Sequence, residues 1–251
     1  MTNDLSESEK IRYQKHLLLP EVGEAGQLRL KNSSVLLVGV GGLGSPAALY
    51  LAAAGVGHIG LLDGDKVELS NLQRQVLHAV AAIGQQKVAS GEYALHALNP
   101  EIRVMQYPFR LSAENGAELF EGYDVILDCT DNLATRLVIN RFCVQLHRPM
   151  VHGAVYRFEG QAAVFDADRG PCYQCLFPQL PDEKVIPDPA KNGLLATTPG
   201  IIGTIMAAET LKLLLGIGSS LAGRLLVLDS LSMHFQELHL VRNKKCPVCA
   251  K

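Results

Sequence analysis

The sequence predicts an α/β fold, with a doubly wound and mostly parallel sheet followed by a smaller β-rich region. Three observations lead to this prediction. Strand-like and helix-like segments alternate through the first half of the 251 residues, a pattern typical of parallel strands covered by helices on both faces. A glycine-rich turn follows the first strand-like segment, and shorter strand-like segments dominate after Gly153.

The elements of the first half follow from apolar runs that are separated by glycine and proline. The run at 35–39 (VLLVG) is continuously apolar, as expected for a strand buried on both faces. Further strands are predicted at 59–63, 102–106, 124–128 and 150–153. Helices are predicted between them at 42–54, 87–98, 113–120 and 133–146.

In the second half, strands are predicted at 161–165, 225–229 and 235–240. The apolar segment 200–216 is short for a bilayer and contains Glu209 and Lys212, which predicts a buried or interface helix. The long, proline-rich segment 178–192 is predicted to be a crossover loop.

The chain is interpreted as a single domain, because no repeat or low-complexity tract divides it. Within this domain we expect an N-terminal helical arm at 1–30 and a Rossmann-like, nucleotide-binding half at 35–153. A β-rich half stapled by zinc is expected at 154–251.

Composition excludes several classes of function. A net charge of -2, with 19% charged residues, gives no electrostatic reason to expect binding to nucleic acid or to membranes. The polar, acidic start MTNDLSESEK is unlike a signal peptide, so a cytoplasmic location is expected.

Two Cys-x-x-Cys pairs predict a metal site. Their members, which are four of the six cysteines, are Cys172, Cys175, Cys246 and Cys249. Four thiolates complete the tetrahedral shell of one Zn²⁺ ion and leave no open position for catalysis, so a structural role is predicted. The alternative, two disulfides, suits an oxidising compartment and a small core, which this sequence does not suggest.

The glycine-rich turn predicts a nucleotide site. Its string GVGGLG contains Gly39, Gly41, Gly42 and Gly44, and it lies between a predicted strand and a predicted helix. There the backbone can approach phosphate oxygens, and the helix N-terminus supplies amide donors. Asp63 ends the next predicted strand, where a carboxylate can accept both ribose hydroxyls. Alone, the motif indicates an NAD site, and the alternative is a glycine turn kept only for tight packing.

The residues that follow favour a triphosphate. Arg74 and Lys87 are cations that could reach phosphates, and Asn71 could donate a hydrogen bond. A triphosphate needs such a set because its charge must be neutralised while pyrophosphate leaves. The alternative is that both cations are solvated surface charges.

Asp131 is a candidate magnesium ligand. It follows a predicted strand, at the sheet edge where ligands bind in this fold. Mg²⁺ prefers one or two carboxylates together with phosphates and water. The alternative is that Asp131 is a helix N-cap. Asp128 is interpreted as structural, Cys129 and Cys143 as buried thiols, and the histidines receive no role.

Together these motifs resemble the family of ATP-dependent activators of ubiquitin-like proteins, which includes the MoeB, ThiF and HesA proteins. The resemblance rests on the glycine loop, Asp63, the string LSNLQRQ at 69–75, Lys87, the string DCTDN at 128–132 and both cysteine pairs. The Arg12-Tyr13 pair and the GAVYRFEGQ string at 153–161 match as well. The string at 153–161 is closest to the branch that serves molybdopterin synthase.

The resemblance implies an adenylyltransferase that uses ATP and Mg²⁺ on the C-terminal Gly-Gly tail of a ubiquitin-like sulfur carrier. It also implies a homodimer. Transferred onto this sequence, the phosphates lie against Gly42 and the ribose is bound by Asp63. The triphosphate contacts Asn71, Arg74 and Lys87, and Asp131 holds Mg²⁺. A carrier of the thiamine pathway is the main alternative substrate.

Two positions depart from the family pattern. Lys15 stands where relatives have an arginine that reaches the partner subunit's site; it keeps the charge but loses the planar fork. Many relatives have a cysteine near Pro189, but this chain has none between Cys175 and Cys246. A thioester or persulfide stage on that loop is therefore not expected.

Two other classes of function stay open at this point. An NAD-dependent oxidoreductase would share the fold and Asp63, but it would need a proton donor that is not evident. A non-catalytic adaptor would share the scaffold, although the presence of Arg74, Lys87 and Asp131 argues against degeneration.

Overall fold

The computed structural model describes residues 4–177 and 193–250. The predicted crossover loop at 178–192 lies outside these residues. In chain order the helices are α1 (Glu7–Arg12), α2 (Gln14–Leu17), α3 (Gly23–Lys31), α4 (Gly44–Ala54), α5 (Lys87–Leu98), α6 (Gly116–Glu121), α7 (Leu133–Gln145) and α8 (Thr197–Leu215). The strands are β1 (Ser34–Val38), β2 (His58–Leu62), β3 (Arg103–Tyr107), β4 (Val125–Asp128), β5 (Met150–Tyr156), β6 (Glu159–Phe165), β7 (Arg224–Asp229) and β8 (His234–His239).

The strands form one sheet in the order β3-β2-β1-β4-β5-β6-β7-β8. Strands β3 to β5 are all parallel, and the strand order reverses direction at β1, where β4 lies on the opposite side from β2. Strands β6, β7 and β8 extend the sheet in antiparallel fashion. The predicted α/β class, with a mostly parallel sheet and a β-rich extension, is confirmed.

The core lies in two layers, one on each face of the sheet. Successive residues of β1 alternate between them: Val35 and Leu37 pack in the layer with α4, α5 and α8, while Leu36 and Val38 pack in the layer with α6 and α7. Because both faces are covered, the central strands carry continuous apolar runs rather than alternating ones.

Helix α8 is a core helix, as predicted for the segment 200–216. Within the described residues it alone is long and apolar enough to cross a membrane by length and composition. However, it packs against α4 and against strands β5 and β6, and its Glu209 is buried and accepts a hydrogen bond from the Leu221 amide. A buried helix of a globular core meets the same criterion.

The element boundaries differ from the predicted ones where a local turn competes with the helix. The helix predicted at 113–120 begins only at Gly116, because the Asn115 side chain accepts a hydrogen bond from the Ser112 amide and holds a turn there. The helix predicted at 42–54 begins at Gly44, since the preceding residues form the glycine loop.

Candidate active site

The candidate site lies at the carboxyl edge of the parallel strands. The turns after β1, β2 and β4 meet there, because parallel strands present their carboxyl ends to the same edge. Gly39 donates from its amide to the carbonyl of Leu62 on β2, and Cys129 donates to Val38 on β1. These bonds continue both ladders into the loops and hold the loops side by side.

Two of the four loop glycines are required by packing. Gly39 has a φ of 95°, and a Cβ there would lie 2.8 Å from the Cys129 carbonyl oxygen. A Cβ on Gly44 would collide with the carbonyl oxygen of Gly39. Gly41 differs, because the nearest described atom to its Cβ position is Nε2 of Gln75 at an ordinary 3.5 Å. Packing alone therefore does not explain a glycine at position 41.

Asp63 fixes the glycine loop. Its Oδ2 accepts a hydrogen bond from the Val40 amide at 2.8 Å, and its Oδ1 accepts one from the Asp65 amide at 2.8 Å. The carboxylate is therefore held rigidly beside the loop, with lone pairs left for a ligand.

The segment after β2 folds back over the glycine loop. Arg74 lies beside Gly42, with its Cγ 3.6 Å from the position of a Cβ on that glycine. Gln75 lies beside Gly41 and donates to Oδ1 of Asn71 at 2.6 Å. The structure therefore brings the predicted residue Arg74 to the loop, whereas Asn71 is linked to the loop through Gln75.

Lys87 is buried beneath the site at the N-terminus of α5. Its Nζ lies 3.3 Å from Oδ2 of Asp65, and Arg110 contacts the other oxygen of that carboxylate at 3.0 Å. Burial opposes the ionisation of Asp65, but the charges of Lys87 and Arg110 outweigh it and lower the pKa of Asp65. For Lys87, the alternative of a solvated surface charge is wrong.

Asp131 is not the cap of α7. The cap is Asn132, whose Oδ1 accepts a hydrogen bond from the Thr135 amide at 2.9 Å. Asp131 is exposed, and its carboxylate accepts only a long 3.4 Å hydrogen bond from Asn132 in the described part of the chain. The alternative that Asp131 serves as the N-cap is therefore wrong.

Asp128 is structural, in line with the prediction. Its fully buried carboxylate accepts hydrogen bonds from the amide and hydroxyl of Thr130 and from Nδ1 of His152 at 2.7 Å. Burial raises the pKa of Asp128, yet the bonds and charges of His152 and Arg136 lower it overall. This network fixes the turn that carries Asp131.

Two histidines for which the sequence predicted no role hold residues of the site in place through hydrogen bonds. His152 holds Asp128, and His78 is buried between the Val40 carbonyl and the Ser90 hydroxyl. For His78 a signal existed in the spacing of residues 71, 74, 75 and 78, which is that of one helical face. For His152 nothing in the sequence marked the contact.

The structure does not bring Lys15 to the glycine loop of its own chain. Lys15 is exposed on α2, the short helix that begins directly after Tyr13. The ring of Tyr13 lies at Gly55, where α4 ends. The glycine loop lies at the other end of α4, and a helix of 11 residues spans about 16 Å.

The four paired cysteines converge on one buried cluster. All of their sulfur atoms lie within 4.8 Å of one another, at 4.0 Å for Cys172–Cys175, 3.6 Å for Cys172–Cys246 and 3.4 Å for Cys175–Cys249. Four thiolates around one zinc ion at 2.3 Å would be about 3.8 Å apart. All six cysteines of the chain are free thiols, so the alternative of two disulfides finds no support.

Comparison with known families identifies the chain. The model of the ThiF family matches residues 13–248. The chain belongs to the ThiF family. The resemblance seen in the sequence motifs is thereby confirmed, and the match covers the glycine loop, the edge residues and three of the four clustered cysteines of this ThiF-family protein, with Cys249 one residue beyond it.

Relatives of this ThiF-family chain carry consistent names. It is 47% identical over 243 residues to the sulfur carrier protein adenylyltransferase of Thermus thermophilus, covering 95% of this chain and 90% of that protein. It is also 47% identical to mouse adenylyltransferase and sulfurtransferase MOCS3, covering 98% of this chain but only 54% of that protein. The chain thus spans about half the length of MOCS3.

Solved structures share the fold. Escherichia coli MccB in complex with MccA-N7isoASN superposes with a TM-score of 0.84 at 21% identity, covering 100% of this chain and 77% of that one. MccB crystallised with ATP gives a TM-score of 0.83 at 22% identity, covering 97% and 75%. At this identity the likeness concerns the fold.

Proposed function

We propose that this ThiF-family protein adenylates the C-terminal carboxylate of a ubiquitin-like sulfur carrier that ends in Gly-Gly, in the cytoplasm. One observation carries the proposal: Gly41, which packing does not require, lies beside the segment of Arg74 at a sheet edge that also carries the exposed carboxylate of Asp131, with the buried ammonium of Lys87 beneath it. The name of the Thermus relative supports the same reaction, and the MccB structure with ATP shows that a protein of this fold binds that nucleotide.

The reaction requires little acid–base chemistry from the protein. A carboxylate oxygen of the carrier attacks the α-phosphorus of ATP, and the bond from that phosphorus to the oxygen bridging the β-phosphorus breaks. Pyrophosphate leaves with the bonding electron pair, and the carrier becomes an acyl-adenylate. Since a carboxylate is already a nucleophile, the residues of the site act by alignment and by stabilising charge.

The residues divide these tasks by position. The Gly41 and Gly42 backbone would lie against the phosphates, and Asp63, held by two amides, would accept the ribose hydroxyls. Arg74 and Lys87 would neutralise the phosphates, with Asn71 as a donor. Lys87 is suited to this because its buried ammonium is poorly screened by water.

A magnesium ion fits the same edge. Asp131 would hold it through an exposed carboxylate that the helix does not use as a cap. A divalent cation bound there would neutralise phosphate charge. Asp128 is too fully engaged by Thr130 and His152 to serve as a second ligand.

The cysteine cluster fits zinc. Three of its sulfur–sulfur separations are 3.4 to 4.0 Å and all lie within 4.8 Å, close to the spacing of four thiolates around one ion. Asn140 of α7 supports the shell by donating to Sγ of Cys172 at 3.7 Å and accepting from the Tyr173 amide at 2.9 Å. With every position filled, the ion would be structural.

A homodimer would explain how Lys15, which does not reach the glycine loop of its own chain, could act at a nucleotide site. His16, next to Lys15, lines an apolar groove of about 270 Å³ between α4 and α8, together with Tyr50, Thr204 and Leu211. Tyr50 is 56% exposed in the single chain. A second copy packed over this groove would cover its apolar wall. That Lys15 of one copy then reaches the phosphates of the other is what the family resemblance implies.

The molybdopterin-synthase small subunit is the favoured type of carrier, on the resemblance of the string at 153–161. The corresponding carrier of thiamine biosynthesis is the alternative. MOCS3 relatives, whose names join adenylyltransferase and sulfurtransferase, are long enough to hold a further domain beyond the part matched here.

ATP–pyrophosphate exchange with a panel of purified carriers tests the proposal. Exchange that depends on a carrier with an intact Gly-Gly tail, and is lost when that tail is removed, is the expected result. The carrier supporting the highest kcat/KM identifies the pathway. Absence of exchange with every carrier, together with saturable binding of NAD, would overturn the proposal in favour of an oxidoreductase.

A further inference from the structure

The peptide units on both sides of Val40 are held by side chains from different parts of the chain. The Val40 amide donates to Oδ2 of Asp63 at 2.8 Å, and the Val40 carbonyl lies 2.9 Å from Nε2 of His78. His78 is only 8% exposed, so water hardly competes for this bond. The residue that opens the GVGGLG turn after Gly39 therefore has both polar backbone groups fixed.

The hydrogen bonds determine the tautomer of His78. A carbonyl oxygen only accepts, so Nε2 carries a proton and donates it to Val40. The other ring nitrogen, Nδ1, lies 3.0 Å from the Ser90 hydroxyl, which can donate to it. Burial is the largest cause that lowers the pKa of His78, and the charge of Lys87 adds to it, against the opposing bond to Val40 and the charge of Asp63. The neutral ring satisfies both neighbours.

This bond sets the direction of the next amide. The Val40 carbonyl and the Gly41 N–H belong to one planar peptide unit and point in opposite directions. If the carbonyl is held inward by His78, the Gly41 N–H must point outward. No acceptor for that N–H is seen within residues 4–177 and 193–250. It is therefore available to an anion.

The same histidine joins the loop to the helix that carries a cation of the site. Ser90 lies one turn after Lys87 on α5, on the buried side of that helix. Arg74, Gln75 and His78 of the segment after β2 face the glycine loop, and Asn71 accepts a hydrogen bond from Gln75. His78 is thus the point where the loop, this segment and α5 meet.

We infer that His78 is a positioning residue for the nucleotide: its Nε2–H bond to Val40 aims the Gly41 amide at a phosphate oxygen and holds α5 at a fixed distance from the loop. The inference rests on the proposed function, because it presumes that a phosphate lies against Gly41. It assigns His78 no contact with the reacting atoms.

Three substitutions separate the two bonds of the ring. In His78→Gln the side-chain amide reaches the position of Nε2 and can still donate to Val40. In His78→Asn the shorter amide reaches only the position of Nδ1, next to Ser90. His78→Leu removes both bonds. His96→Leu, on the exposed face of α5, is the matched control for replacing a histidine by leucine.

The measurements are the Kd of a non-hydrolysable ATP analogue and the KM and kcat of pyrophosphate exchange, each on full-length chains with melting temperatures recorded. Losing a buried hydrogen bond typically weakens binding about 5- to 100-fold. We expect that loss in His78→Asn and His78→Leu, mainly in Kd and KM for ATP. His78→Gln is expected to remain within about threefold of the wild type, and His96→Leu to equal it.

The outcomes distinguish the two proposals. If the wild type binds ATP but His78→Asn binds it as tightly as His78→Gln does, the positioning role is wrong. Should His78→Leu fail to fold, the comparison of the two polar variants still decides the question. A wild-type chain that neither binds ATP nor exchanges pyrophosphate would instead overturn the proposed function itself.

Discussion

The replacement Gly41→Ala separates a glycine kept for a ligand from one kept for packing. Within the described residues the added methyl group would meet only the Gln75 side chain, with Nε2 at 3.5 Å and Cδ at 3.9 Å, and φ at this position is not in the left-handed region. A compatible glycine-to-alanine change stabilises by about 0.4–1 kcal/mol, which raises Tm by roughly 1–4 °C in a chain of this size. The folded protein should therefore be as stable as the wild type or slightly more so.

Nucleotide binding should respond in the opposite direction. If a phosphate lies against Gly41, the methyl group takes its space, and forcing one extra methyl into a filled contact costs about 1–3 kcal/mol. This corresponds to about 5- to 150-fold weaker binding of ATP. Calorimetric titration with a non-hydrolysable analogue measures the affinity, and a thermal melt of the same sample measures stability.

The matched variant is Gly44→Ala, in which the methyl group would collide with the Gly39 carbonyl. Here the loop backbone must move, so Tm should fall by roughly 2–12 °C from a cost of about 1–3 kcal/mol. A Gly41→Ala chain that binds ATP as tightly as the wild type would refute the reasoning, because it would show that no ligand approaches that glycine.

Three further predictions concern the metal, the edge carboxylate and the partner subunit. Cys249→Ser should lose the zinc and lower Tm strongly. Cys143→Ser, at a buried cysteine outside the cluster, is the control and should keep one zinc per chain. Freshly purified, reduced wild-type protein that contains no zinc would contradict the zinc prediction. Asp131→Ala should reduce pyrophosphate exchange on the order of 100-fold with an unchanged Tm. The neighbouring Asn132→Ala removes the cap of α7, so it should lose about 1 kcal/mol of stability and change pyrophosphate exchange little. Near-wild-type exchange by Asp131→Ala would remove the magnesium role. Finally, Lys15→Ala mixed with Asp131→Ala should recover exchange, because each heterodimer contains one site with both residues intact; heterodimers that form but stay inactive rule out action in trans.

The sequence was sufficient for the sheet because each central strand is an apolar run covered on both faces. The predicted strand at 35–39 is observed at Ser34–Val38, and the one at 124–128 at Val125–Asp128. Boundaries shifted where a side chain held a turn, as Asn115 does before α6. Such local competition between turn and helix is not visible in periodicity.

For the site, the GVGGLG motif located the ligand-binding edge of the sheet, but it could not show which of its glycines packing requires. Whether a glycine is needed for packing depends on atoms distant in sequence, such as the Cys129 carbonyl beside Gly39. The same holds for His78, whose partner Val40 lies 38 positions earlier, and for Lys87, whose ion-pair partner Asp65 lies 22 positions earlier. Composition and spacing carry no information on these contacts.

The cysteine cluster has a consequence for the order in which the protein acquires its structure. Cys246 emerges 74 residues after Cys172, with which it shares the site. At typical rates of synthesis of about 5–20 residues per second, the second pair of cysteines is synthesised about 4–15 seconds after the first pair. By then all five parallel strands, which are complete at Tyr156, have left the ribosome. The nucleotide edge can therefore assemble before the proposed zinc ion binds, and the ion would then hold the C-terminal segment to a sheet that is already present rather than nucleating one. A cell short of zinc would accumulate chains with a formed nucleotide edge and an unfastened C-terminal segment.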